Sequence, residues 1–139
     1  MKEPVEEIIE FLAQSPAFYM ATVEKNGQPR VRPFSFVMEW KGKLTFVTAT
    51  NKDIYKQLAQ NPRLEICSLS PAGDWMRLLG TVKFTAETQA RRKVLELMPE
   101  LKALYQEDDP RMVCFYIVRG QAEVYSMDSM NVPTRVIGL

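Results

Sequence analysis

The chain has 139 residues, 46% of them hydrophobic, with 18 Lys+Arg against 17 Asp+Glu for a formal net charge of +1. That length and apolar content fit one domain with a real core, and so small a charge gives no global field to gather nucleic acid or an acidic membrane. The absence of histidine excludes Ser-His-Asp and Cys-His catalysis, removes the commonest transition-metal ligand and argues against haem held by an axial histidine. Catalysis here would come most easily from a cofactor that carries its own chemistry. The opening Met1-Lys2-Glu3-Pro4-Val5-Glu6-Glu7 has no apolar core of a signal peptide, and no apolar run reaches membrane-spanning length. The expectation is a cytoplasmic protein with no membrane and no nucleic-acid partner. Cys67 and Cys114 each sit in an apolar strand-like run and are expected as free, buried thiols.

Residues 3 to 14 predict an amphipathic helix with Val5, Ile8, Ile9 and Leu12 as its buried stripe, ended by Ser15-Pro16. Ala17 to Glu24 predicts a first strand, and Asn26-Gly27 the hairpin turn into a second, about Gln28 to Trp40. Lys41-Gly42-Lys43 turns the chain again into a third strand, Leu44 to Thr50. A short helix follows, with Ile54, Tyr55 and Leu58 on its apolar side and Asn61-Pro62 as its stop. Arg63 to Ser70 and Trp75 to Ala86 predict two more strands, joined by the turn Pro71-Ala72-Gly73-Asp74. From Glu87 to Gln106 the period becomes helical, with Ala90, Val94, Leu97, Leu101 and Leu104 in line and a break at Pro99. Arg111 to Tyr125 predicts the last strand, and Ser126 to Leu139 shows no clear pattern.

Six strands joined mostly by hairpins, with flanking helices, predict a mainly antiparallel sheet curled into a small barrel; an open α+β sandwich is the competing geometry. Residues 1–126 form the expected domain, and 127–139 a C-terminal tail.

Two stretches carry candidate chemistry. Thr48-Ala49-Thr50-Asn51-Lys52-Asp53 runs from a strand into a helix, with Thr50 and Asp53 spaced like a capping box. A helix N-terminus offers unpaired N–H groups and a positive dipole end, which suits a phosphate; an ordinary capped surface helix has the same look. In Gln28-Pro29-Arg30-Val31-Arg32-Pro33-Phe34, Arg30 and Arg32 alternate onto one face with Phe34. Two guanidinium groups on a strand face are either solvated, as on a protected edge, or aimed at an anion.

The ordered set Phe18–Val23, Gly27-Gln28-Pro29-Arg30-Val31-Arg32-Pro33, Leu44-x-Phe46-x-Thr48, Asn51-Lys52, Leu58-x-x-Asn61-Pro62 and Trp75-Met76-Arg77-Leu78-Leu79-Gly80 resembles the pyridoxamine 5′-phosphate oxidase-like family over roughly residues 5 to 125. Its branch of small nitroimidazole-resistance and flavin-reductase-like proteins is the most similar. The resemblance implies a split β-barrel that binds FMN at the interface of a homodimer. It implies that Arg30, Val31, Arg32, Pro33 and Phe34 lie along the isoalloxazine ring. Thr48, Thr50, Asn51 and Lys52, with Val47 on the strand leading in, would hold the ribityl phosphate. Trp75 and Arg77 would approach from the neighbouring subunit or close the other side of the same pocket. Oxidation of pyridoxamine phosphate itself is not implied, because the histidine that helps grip that substrate is missing and the tail is unrelated. The functional expectation is a flavin-dependent oxidoreductase passing electrons from a reduced nicotinamide or other donor to a small organic acceptor. A non-catalytic FMN-binding module is the alternative, and a deazaflavin or haem in the same groove is a weaker one.

Overall fold

Two tight hairpins fold the first half of the chain in the computed structural model, which describes residues 2–129 and 131–139. Strand β1 (Phe18–Val23) pairs antiparallel with β2 (Pro29–Phe34) across a turn in which Gly27 takes φ +89°. Strand β3 (Met38–Trp40) pairs with β4 (Lys43–Ala49), and the two-residue turn between them places Lys41 at φ +51° and Gly42 at φ +77°. Positive φ at both central positions matches the twist of flanking strands, and Gly42 adopts it without steric cost.

β5 (Arg63–Leu69), β6 (Trp75–Thr85) and β7 (Met112–Tyr125) complete the order β2-β1-β5-β6-β7-β4-β3. An additional strand, β8 (Arg135–Gly138), pairs with the far half of β7. Eight strands therefore stand where six were expected, for two reasons. The predicted single strand from Gln28 to Trp40 is two, because at Ser35–Val37 the chain leaves one edge of the sheet and joins the other. The tail supplies the last, with Ile137 buried in the core. The sheet is open in its hydrogen bonding, since β2 and β3 do not pair. It nevertheless curls: the Phe34 ring on β2 lies 6.4 Å from Phe46 on β4 and 6.1 Å from Phe115 on β7. Side chains, not a ladder, close this split barrel.

Alternation explains the interior. Phe18, Met20, Ile66, Leu78, Phe46 and Phe115 point inward from five strands. Helix α1 (Pro4–Leu12) seals one side with Ile8 and Leu12, and α2 (Asp53–Gln60) another with Ile54 and Leu58. The outer side of β4 and β7 is covered by α3 (Thr88–Leu97), which packs Ala90, Val94 and Leu95 on Met38, Met112 and Cys114. Leu97 and Leu104, expected in that stripe, are 55% and 64% exposed. The chain leaves helical geometry at Met98 before a 3₁₀ turn at Pro99–Ala103, so the helical period does not carry through. Cys114 is buried as expected, but Cys67 is exposed on the outer face of β5. No helix among the described residues is long and apolar enough to cross a membrane.

Candidate functional site

β4 ends at Ala49, and after three intervening residues the chain enters α2 at Asp53. The turn is held by its own backbone: the Thr50 N–H donates to the Arg111 carbonyl at 2.8 Å and the Lys52 N–H to Ala49 at 3.0 Å. The capping box read from Thr50 and Asp53 does not form, because Lys52 occupies the N-cap position and no side chain caps the helix. Among the described residues, the N–H groups of Asn51, Asp53 and Ile54 find no protein acceptor. Those donors and the positive end of the helix dipole stand beside the exposed Lys52. In the strand leading in, the Thr48 hydroxyl is buried without a hydrogen-bond partner, an unusual state for a buried polar group.

Arg32 comes to this helix from β2. Its guanidinium donates to the Gln57 Oε1 at 2.8 Å, the Thr22 Oγ1 at 2.8 Å and the Met20 carbonyl at 3.1 Å. Thr22 donates in turn to the same Gln57 oxygen. Thr22 and Gln57 are buried, so a closed polar triangle ties β1, β2 and α2 together. Partial burial pulls the Arg32 pKa below its usual value, and the attraction of Asp53, one turn before Gln57, works against that fall. The guanidinium therefore has protein partners of its own. Arg30 is exposed and pairs with Glu24 at 2.8 Å across the hairpin.

Register separates the remaining candidates by face. Arg32 opposes Met20, Met20 opposes Ile66 and Ile66 opposes Leu78, a row pointing into the barrel. The next row runs Pro33, Tyr19, Cys67, Arg77, and points out. Phe34 is inside with Arg32, whereas Val31 and Pro33 share the outer face with Trp75 and Arg77. Trp75 stacks on Tyr125 at 4.4 Å and 15°, with the Arg77 guanidinium 5.2 Å from the Trp75 ring and 3.8 Å from Glu65. Within one chain Trp75 and Arg77 thus stand on the opposite side of the sheet from Arg32 and Phe34. Val47 alternates away from Thr48 and packs into the layer beneath α3.

The structure therefore brings Arg32, Thr48, Thr50, Asn51 and Lys52 to the α2 end of the barrel. Sequence reasoning missed Thr22 and Gln57. Thr22 is one polar residue in the strand Phe18–Val23 and Gln57 one polar residue in a helix; only their contact across 35 residues reveals them.

An antiparallel split barrel with a helix N-terminus opening at the end of its fourth strand defines a class, the split barrels. The chain belongs to the pyridoxamine 5′-phosphate oxidase family, whose model matches residues 4–126. A NimC/NimA family protein from Clostridium acetobutylicum is 34% identical, covering 99% of this chain and 94% of that one at a TM-score of 0.89. A pyridoxamine 5′-phosphate oxidase-related, FMN-binding protein from Nostoc punctiforme has 19% identity over 84% of this chain and 81% of its own, with TM-score 0.59. An F420 reductase has 19% identity, 78% and 89% coverage and TM-score 0.60. These last two likenesses speak for the fold. No curated protein matches the chain.

Proposed function

We propose that this chain binds FMN with its phosphate at the N-terminus of α2, works as a homodimer, and acts as a flavin-dependent oxidoreductase. The observation that carries the reading is the uncapped helix end, where the Asn51, Asp53 and Ile54 N–H groups lack protein acceptors beside Lys52. Phosphate satisfies such donors and gains from the dipole. The orphaned Thr48 hydroxyl adds a further polar group next to that turn. The family and the FMN-binding relative support the choice of flavin, and the F420 reductase keeps a deazaflavin as the nearest competitor.

In this reading Lys52 and the turn hold the phosphate. Arg32 orients α2 through Gln57 and offers its remaining surface to the ring, while Phe34 supplies an apolar wall. Bound there, FMN would accept electrons from a reduced nicotinamide or another donor and deliver them to a small organic acceptor. A second copy covering the outer face would bring Trp75 and Arg77 of that copy to the flavin. The chain has no histidine, and this favours, as the second reading, a module that holds FMN without turnover.

The first test is extraction of the ligand from purified protein and its identification by mass. Lys52→Ala should lower the bound flavin several-fold and leave the melting temperature of the flavin-free protein unchanged. Protein purified without flavin and unable to take up FMN would remove the proposal, and so would full occupancy in Lys52→Ala. Anaerobic reduction by NADH or NADPH, then reoxidation by quinones or nitroaromatics, separates the two readings. Reoxidation no faster than in air alone favours the binding module.

A further inference from the structure

On the edge of β7 there is a gap in the sheet. β4 pairs with β7 only up to Tyr116, and β8 pairs with it from Gln121 onward, so residues 117–119 have no strand partner on that side. The gap follows from the irregularity of β7 opposite Thr81 and Val82, where the register shifts by one residue. Helix α1 passes over the gap, and beneath it lies a cavity of about 580 Å³. That volume falls within the range of small-molecule sites. Its lining is largely apolar, with Val5 and Ile9 of α1 above and Leu44 and Val118 of the sheet as the floor. None of its lining residues belongs to the candidate flavin site.

Four carboxylates, those of Glu3, Glu6, Glu10 and Glu39, line this cavity against a single ammonium, Lys43. Glu10 is paired with Lys2 and Glu39 with Lys93, both cations lying outside the lining. Glu3 and Glu6 have no ion-pair partner among the described residues. Glu6 in the first helical turn is favoured by the helix dipole without any ligand. Glu39 stands on the opposite wall, where its carboxylate accepts from the Gly42 N–H at 2.8 Å besides pairing with Lys93, so the uncompensated charge at the mouth is that of Glu3 and Glu6. Apolar walls with an acidic mouth complement one class of molecule.

We propose that this cavity is a second binding site, for a small organic cation with an aliphatic or aromatic body and an amine or quaternary ammonium head. The body would lie on Leu44 and Val118 at the sheet gap, and the head would sit among the carboxylates. An anion of equal length would meet the same acidic mouth and be repelled. The site stands independently of the flavin reading, because it uses other residues at another part of the barrel.

The test is calorimetric titration of the full chain with octyltrimethylammonium below its micelle concentration, beside octanol and octyl sulfate. The cation should bind saturably at one per chain below about 1 mM, with octanol weaker and octyl sulfate weaker still. Glu3→Gln with Glu6→Gln should weaken the cation about three- to tenfold and leave octanol unchanged. Val118→Trp, which fills the floor, should weaken both ligands more than about tenfold; Val5→Trp on the exposed helix is the substitute if that variant does not fold. Flavin content, read on the same samples, should be the same in all variants. Equal affinity for the three probes, no saturable binding of the cation, or binding untouched in both tryptophan variants would overturn the proposal. Loss of flavin with cation binding intact would count against the flavin site alone.

Discussion

Replacing Gln57 by leucine would leave the Arg32 guanidinium and the Thr22 hydroxyl short of the oxygen they share. Leaving a buried donor unmade costs about 1–3 kcal/mol, more than the net gain from a made hydrogen bond. Gln57→Leu should therefore lower the unfolding free energy from a urea titration by that amount, although leucine adds apolar surface. Gln57→Glu, which keeps an acceptor for both donors, should lose much less. Equal losses in the two variants would show that the triangle is not what fixes α2. At Cys114 the same burial acts on an ionisation, pushing the thiol up to about 12 while the Arg91 charge works in the other direction. A thiol protonated in the native chain up to about 12, but free to ionise near its ordinary pKa when unfolded, stabilises below that ordinary value. Its contribution is lost as pH rises from about 9 towards 12. Stability measured from pH 9 to 11 should fall more steeply in the wild type than in Cys114→Ala, which itself costs about 1 kcal/mol at neutral pH. Parallel slopes would contradict that assignment.

At the scale of elements, β8 tests whether the last residues belong to the fold. Ile137 is 4% exposed and packs into the main core, whereas the Arg135 pair with Glu7 at 2.8 Å lies at the surface. Ile137→Ala should cost about 2–4 kcal/mol in a denaturant titration, and Arg135→Ala very little. A similar small loss in both would mean that β8 is only laid against the barrel. The sequence hides this strand because its four residues, Arg135–Gly138, hold a single buried position, too few for an alternation to register. Elements with strong local signals were legible: Asn26-Gly27, Lys41-Gly42 and the break at Pro99. The transfer of the chain between sheet edges at Ser35–Val37 was not, since Phe34, Phe36, Met38 and Trp40 keep the apolar spacing of one strand although Phe34 packs on the barrel core and Met38 in the layer beneath α3. The candidate site divides in the same way. Lys52 at a helix start is a local pattern, but the bond from Arg32 to Gln57 spans 25 residues and depends on how the sheet curls.

For the whole molecule, the outer face of β2, β1, β5 and β6 remains to be accounted for. Val31 is 67% exposed, Leu69 61%, Tyr19 52% and Leu79 47%, all on one side of adjacent strands. Interleaved with Glu65 and Arg77, these apolar side chains form the face that the proposed homodimer would cover, and a two-fold axis lets one such face cover its own copy. Stable pairs bury about 800 Å² on each partner, an area that four neighbouring strands can supply. The same face carries Trp75 and Arg77, which cannot reach the α2 end of their own barrel from that side. The dimer and the cofactor site are thus one hypothesis with two measurements. Light scattering at micromolar concentration should give twice the 16.0 kDa chain mass, and Leu69→Lys should give the single chain with an unchanged circular dichroism spectrum. If the partner completes the site, the monomeric variant should also lose flavin, and Cys67, exposed on that face, should react faster with a thiol reagent than in the wild type. A wild-type monomer would remove the interface. A monomeric Leu69→Lys that keeps its flavin would confine the cofactor to Lys52, Arg32 and their neighbours within one barrel.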